Sequence, residues 1–284
     1  SVKAKFNETY LDQNGKTIKS GMKTGFIGAP NEKDGRDSFA KGTIMDTQAS
    51  YAIPMALGTF DAKNKPLALQ KFKTVISRKN TDDGGVERPE YSLMTGFIGT
   101  ASISEALSEN GATDLAYKLL TNKQYPSWLY SVVNGSSSIW ERLNSYTVEN
   151  GFGGNNSMNS FNHYSFGAVA AWMYNYSLGI QRDSDSPAFK NFILQPLPDP
   201  NGDITSASGY YDSVYGRISS EWKKEKGKLT FKCTVPPNTR ATLFLPANDI
   251  SKVLESGKKL TNATIENGKV KMTLGSGTYV FEIK

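Results

Sequence analysis

Residues 100–133, TASISEALSENGATDLAYKLLTNKQYPSWLYSVV, set three short helical patterns end to end. The first carries Ile103, Ala106 and Leu107 at helical spacing and stops at Asn110-Gly111, a pair suited to a helix C-terminus. Ala112 to Leu120 forms the second, and Ser127 to Val133, after Pro126, the third. Short links with no strand-like run between them predict helices packed as hairpins. The pattern extends in both directions. Upstream, Thr47 to Phe60 reads as a helix with Tyr51 and Met55 on its apolar side, kinked or shortened by Pro54. Pro66 then opens KPLALQKFKTVISRK, where Leu67, Leu69, Phe72, Val75 and Ile76 make a roughly helical stripe. Downstream, His163 to Leu178 reads as one continuous helix that ends at Gly179. Residues 1–46 are polar and rich in Gly, Lys and Asp; they read as loop with a short helix near Phe6 to Leu11. That makes about six helices.

Beyond Asp183-Ser184-Asp185-Ser186-Pro187 the period changes. Leu229, Phe231, Cys233 and Val235 fall on one face of a strand, with Thr230, Lys232 and Thr234 on the other. Pro236-Pro237-Asn238 turns the chain, and Arg240 to Leu245 continues as a strand. Val270, Met272 and Leu274 repeat the alternation, as do Tyr279, Phe281 and Ile283, on either side of Gly275-Ser276-Gly277. The expected organisation is a helical part, residues 1–188, and an antiparallel β-sandwich, residues 189–284. Thr24-Gly25-Phe26-Ile27-Gly28 recurs as Thr95-Gly96-Phe97-Ile98-Gly99, but the flanks do not match and coincidence is the better reading.

At 284 residues the chain is long enough to bury its own core without staples. No run of about 18 apolar residues suggests a membrane span. The single cysteine, Cys233, excludes an internal disulfide. Net charge is +6, with 19 basic and 18 acidic side chains in residues 1–188 and 14 and 9 in residues 189–284. The excess is Lys spread along the strands, a solvated face rather than the tight patch that nucleic acid needs, so neither nucleic acid nor a membrane is an expected partner. The chain starts at Ser1 without Met and without a signal-peptide pattern, from which a processed or truncated start is expected.

The candidate chemistry lies between Ser136 and Trp172. Gly and Asn dominate a long loop there, which brings little apolar area and is of the kind more often functional than idle. Glu141 stands between Trp140 and Arg142. An indole disfavours the charged carboxylate and a guanidinium favours it, so such a group suits general-base work on water; a simple ion pair with Arg142 is the competing reading. His163, the only histidine, follows the loop in Asn162-His163-Tyr164. It is either a structural residue or a hydrogen-bonding partner for substrate hydroxyls. Trp128, Trp140, Phe161, Tyr164 and Trp172 offer aromatic faces, the usual platforms for sugar rings, although Trp172 sits on a stripe that reads as helix core. Asp82-Asp83-Gly84-Gly85 reads as a solvated acidic turn. No His/Cys/Asp set has metal-ligand spacing, no nucleotide fingerprint is present, and no cofactor is expected.

Several ordered blocks resemble the bacterial α-L-rhamnosidases of glycoside hydrolase family 78. They are Thr95-Gly96-Phe97 with Gly99-Thr100, Asp114-Leu115-Ala116-Tyr117, Tyr125-Pro126-Ser127-Trp128, Ile139-Trp140-Glu141-Arg142, Met158 to Tyr164 and Gly167-Ala168-Val169. Tyr215-Gly216-Arg217-Ile218 with Trp222, and Pro237-Asn238-Thr239, are similar to that family's C-terminal sandwich. The resemblance covers roughly residues 47–245.

It implies part of an (α/α)6 barrel followed by an antiparallel β-sandwich, with about half the helices of a complete barrel. It also implies an inverting hydrolase of terminal α-L-rhamnose, with a rhamnose-containing glycoside or oligosaccharide as partner. The family's general base falls on Glu141, and its sugar contacts on His163, with Trp140 and Asn162 beside them. Its general acid would lie upstream of Ser1, so the chain alone is expected to be inactive or nearly so. Other readings are a non-catalytic sugar-binding module, or another (α/α)6 enzyme such as a lyase or phosphorylase. A polysaccharide-degrading role would favour the periplasm or exterior. An open barrel face would favour self-association.

Overall fold

A computed structural model describes residues 1–19, 41–82, 84–152 and 158–284. The first copy of the Thr-Gly-Phe-Ile-Gly echo and Asp83 lie outside them. The chain divides into two units, Ser1–Ala168 and Val169–Lys284.

In the first unit, α1 (Val2–Tyr10) is longer than the short helix expected near Phe6. It is capped by Ser1 and tied down by Asn7, whose Nδ2 donates to the Thr59 carbonyl at 2.9 Å. α2 (Gln48–Ala56) starts with a reciprocal cap between Thr47 and Ser50 and carries Pro54 in its last turn. α3 (Lys65–Ser77) has Pro66 in its first turn and buries Ala68, Phe72, Val75 and Ile76. A two-strand hairpin follows, β1 (Asn80–Thr81) with β2 (Glu87–Arg88). Then come α4 (Gly96–Glu109), α5 (Thr113–Thr121) and α6 (Trp128–Val133). α2 and α4 approach closely because Gly99 has no side chain; a Cβ there would stand 2.9 Å from that of Ala49. Gln48 holds the segment before α4 in place: its Nε2 donates to the Ser92 carbonyl at 2.7 Å and its Oε1 accepts the Met94 amide at 2.9 Å. Both ends of that buried amide are satisfied, as burial requires.

The continuous helix expected over His163–Leu178 is broken. Ser165–Ala168 is a 3₁₀ turn, Val169–Trp172 (α7) a single α turn, and Met173–Ser177 a π turn. The five aromatic side chains of this run (Tyr164, Phe166, Trp172, Tyr174 and Tyr176) have low helix propensity and Gly167 adds backbone entropy, which offsets the alanines between them. The seven α-helices described otherwise follow the hydrophobic period. None is long and apolar enough to cross a membrane.

The second unit is a sandwich. Its strands are β3 (Ile180–Arg182), β4 (Asn191–Leu194), β5 (Ser206–Ser213), β6 (Gly216–Glu225), β7 (Lys228–Val235) and β8 (Arg240–Leu245). They continue with β9 (Val253–Glu255), β10 (Lys258–Lys259), β11 (Thr264–Glu266), β12 (Lys269–Leu274) and β13 (Gly277–Ile283). One sheet runs β10-β9-β13-β7-β6-β5 and the other β11-β12-β8-β4-β3. The stretch Asp183 to Pro187 lies between β3 and β4 of the second sheet. Pairing is antiparallel except between β4 and β8. The chain between those two strands spends β5 to β7 in the other sheet, which gives it the length a parallel return needs.

Trp222 is fully buried and registers with Phe231, which in turn faces Phe281. Phe192, Leu194, Leu243 and Val270 are among the buried side chains of the other sheet. Gly179, before β3, has φ +75, and a Cβ there would come within 2.1 Å of the Gln195 backbone, so only glycine fits. Cys233 is buried on β7, and burial pushes its thiol up to about 12.

Candidate functional site

The Trp140-Glu141 and Asn162-His163 blocks lie on two irregular segments that pair as neighbouring strands would. The Glu141 amide donates to the Ser160 carbonyl and the His163 amide to the Ile139 carbonyl, each at 2.8 Å. Ser138 Oγ donates to the Phe161 carbonyl. Backbone groups outside helices and sheets need such partners, and here they bring Glu141 and His163 onto adjacent strips of chain.

Trp140 is 7% exposed. Its ring meets Phe161 edge-on at 5.5 Å and Tyr146 at 6.5 Å, and Phe152 closes the group at 5.5 Å from Phe161 and 5.2 Å from Tyr146. This cluster fixes the backbone from which Glu141 projects. Trp128 is also buried, with its indole N–H donated to the Phe166 carbonyl at 2.8 Å. Trp172 is buried as well.

Glu141 is half-buried on the wall of an open cleft of about 600 Å³. Its Oε2 accepts the Ser160 amide at 2.8 Å; within the described residues the carboxylate bonds to this amide and not to Arg142. The cleft is also lined by Asp46 and Arg78, by Asp82, Arg88 and Tyr125, and by the apolar rings of Phe97 and Phe166. His163 does not line it. Phe97 does, and its ring lies 4.8 Å from the imidazole. Asn162 is exposed, with its amide donated to Ser160 Oγ at 3.1 Å.

Among the described residues, the two other carboxylates on the cleft are both favoured as anions. Asp46, just before α2, accepts the Tyr51 hydroxyl at 2.6 Å and Arg78 at 3.0 Å, with Lys16 at 3.8 Å. Burial by itself raises its pKa, but the bonds from Tyr51 and Arg78 outweigh that and leave it below the ordinary value. Burial, then the Asp46 bond, pushes the Tyr51 phenol up. Asp82 turns its Oδ1 to the amides of Gly84 and Val86 at 3.0 and 2.9 Å, and its Oδ2 to Arg88 Nε at 2.7 Å. The Val86 amide and then Arg88 lower its pKa. Arg88 lies over the Tyr125 ring, 4.6 Å from its centre. Asp82 thus both shapes the hairpin turn and lines the cleft.

A depressed folded-state pKa gives Asp46 a stability contribution that is present above the unfolded-state value of about 3.9 and lost as pH falls through the folded value. Asp46→Asn should therefore have a lower melting temperature than the parent at pH 7, and the gap should close below about pH 4. An unchanged gap by thermal circular dichroism at pH 7 and pH 3 would remove the charge from the account.

Residues 1–177 match the bacterial alpha-L-rhamnosidase six-hairpin glycosidase domain, and residues 179–259 the bacterial alpha-L-rhamnosidase C-terminal domain. The chain belongs to the bacterial α-L-rhamnosidase family. It is 36% identical over 256 residues to an alpha-L-rhamnosidase of Formosa agariphila, covering 87% of this chain and 26% of that protein. It is 32% identical over 238 residues to one of Streptomyces avermitilis, covering 84% and 22%. Among solved structures it resembles the Streptomyces avermitilis alpha-L-rhamnosidase complexed with L-rhamnose, with a TM-score of 0.76 and 28% identity, over 100% of this chain and 23% of that one. The native enzyme from Aspergillus terreus is similar, at a TM-score of 0.73 and 26% identity, over 100% and 26%. The chain spans about a quarter of the length of these relatives.

Proposed function

We propose that the protein carrying this chain hydrolyses terminal α-L-rhamnose from glycosides or polysaccharides with inversion, and that Glu141 is its general base. The observation that carries this is the carboxylate itself. It lies on the cleft wall with Oε2 held by the Ser160 amide, while Oε1 has no protein partner among the described residues. An oxygen so placed can take a proton from water. The water oxygen then bonds to the anomeric carbon from the face opposite the glycosidic oxygen, the carbon–oxygen bond to the leaving group breaks, and that oxygen takes a proton from an acid.

The acid needs a carboxyl still protonated near neutrality. Among the described residues the other carboxylates on the cleft are Asp46 and Asp82, and both are pushed the wrong way for that task. We assign the proton donor to the part of the family-length protein beyond this chain, about 6.5–9.5 Å from the base as inversion requires. His163 and Asn162 are assigned to the sugar's hydroxyls, and Trp140, buried and off the cleft, to the packing that holds Glu141 in place.

The test has two parts. The 284-residue chain alone should release no p-nitrophenol, or almost none, from p-nitrophenyl α-L-rhamnoside. The protein at family length should release rhamnose first as the β anomer by proton NMR. Ordinary turnover by the chain alone would overturn the assignment of the acid, and initial release of the α anomer would overturn inversion.

A further inference from the structure

The imidazole of His163 is flanked by two rings. Phe97 lies 4.8 Å away, tilted by 31°, and Tyr164 lies 5.1 Å away, stacked within 20°. Phe97 comes from the start of α4 and Tyr164 from the residue after the histidine, so the imidazole is packed by two different segments. The polar atoms through which the histidine can hydrogen-bond a ligand lie on the edge of that packed ring. One nitrogen on that edge is already used: Nδ1 accepts the Ser165 amide at 3.3 Å. A backbone N–H can only donate, so Nδ1 carries no proton, and in the neutral ring the proton sits on Nε2.

From this arrangement we infer that Phe97 is a positioning residue that holds His163 as an Nε2–H donor. Phe97 is itself held, packed edge-on against Phe166 at 5.8 Å on the start of α4. It is also part of the cleft wall that Glu141 shares. A side chain that touches both the cleft and the imidazole sets which edge of the ring faces outward. With Phe97 removed, the ring is free to turn about its χ2 bond and leave the Ser165 amide. The value of this to catalysis rests on the reading above, that His163 meets the sugar; the tautomer does not.

A single histidine makes the test direct. In the chain labelled with ¹⁵N-histidine, long-range ¹⁵N–¹H spectra above the imidazole's titration should show Nδ1 as the unprotonated nitrogen and Nε2 as the protonated one. Phe97→Ala should move both resonances toward the average of two exchanging tautomers. Phe97→Leu, which keeps most of the volume and so guards against a packing failure, should do the same, and Phe97→Tyr should restore the parent pattern. An Nδ1–H tautomer in the parent, or unchanged resonances in the Ala and Leu variants, would overturn the inference. Addition of L-rhamnose reports separately on the sugar contact. A tautomer that depends on Phe97, with no response of Nε2 to rhamnose, would uphold the positioning role and count against His163 as a sugar ligand.

Discussion

Glu141→Gln in the family-length enzyme is expected to lower kcat by about 10²–10⁴-fold, the usual contribution of a positioned general base. The substitution suits the geometry. A Gln carbonyl can still accept the Ser160 amide that Glu141 Oε2 accepts at 2.8 Å, so the pairing of the two site segments survives. What disappears is an oxygen able to take a proton from water. The loss should therefore fall on kcat and leave KM close to the parent, because hydroxyl contacts from other residues remain. A variant that keeps full turnover would show that another residue is the base and would leave this loop at most a sugar-holding role.

Trp222→Ala is the largest stability change expected in the sandwich. The indole is fully buried, stands beside Phe231 across the β6–β7 ladder, and donates its N–H to the Ser177 carbonyl at 2.8 Å. Truncating a buried Trp costs about 3–5 kcal/mol through lost burial and the cavity left behind. Against a typical domain stability of about 5–15 kcal/mol that is a large share. Urea unfolding should show the midpoint falling with little change in slope. Trp222→Phe refills most of the space and should recover most of the loss. A cost below about 1 kcal/mol for the Ala variant would mean that the neighbouring strands collapse into the space, contrary to the usual partial relaxation.

The readable parts of this protein were those set by local period. Helices with one apolar stripe, such as Lys65–Ser77, and strands with strict alternation, such as Lys228–Val235, follow from side-chain direction alone. Residues 163–178 looked helical because their apolar side chains recur at helical spacing, yet the run divides into 3₁₀, α and π turns. Hydrophobic spacing does not distinguish those hydrogen-bond patterns. The cleft was only partly legible. Glu141 and His163 stood out by chemistry and by their loop. Asp46 and Arg78 did not, since their ion pair joins positions 32 residues apart. Nothing in the local pattern marked Arg88, Phe97 stood out only in the recurring Thr-Gly-Phe-Ile-Gly block, and Asp82 read as part of a solvated acidic turn. Their placement on one cleft depends on how the helices pack, which no local pattern states.

The lone thiol has a practical consequence. Cys233 faces the interior of the sandwich, and with so little thiolate at neutral pH it should be silent toward maleimides while the protein stays folded. A cysteine introduced at Val148, an exposed position on the loop that leads from Glu141 toward His163, would then be the only reactive one. Fluorophores or spin labels could be attached there without first deleting the native residue, giving a direct optical or magnetic report on that loop as sugars arrive.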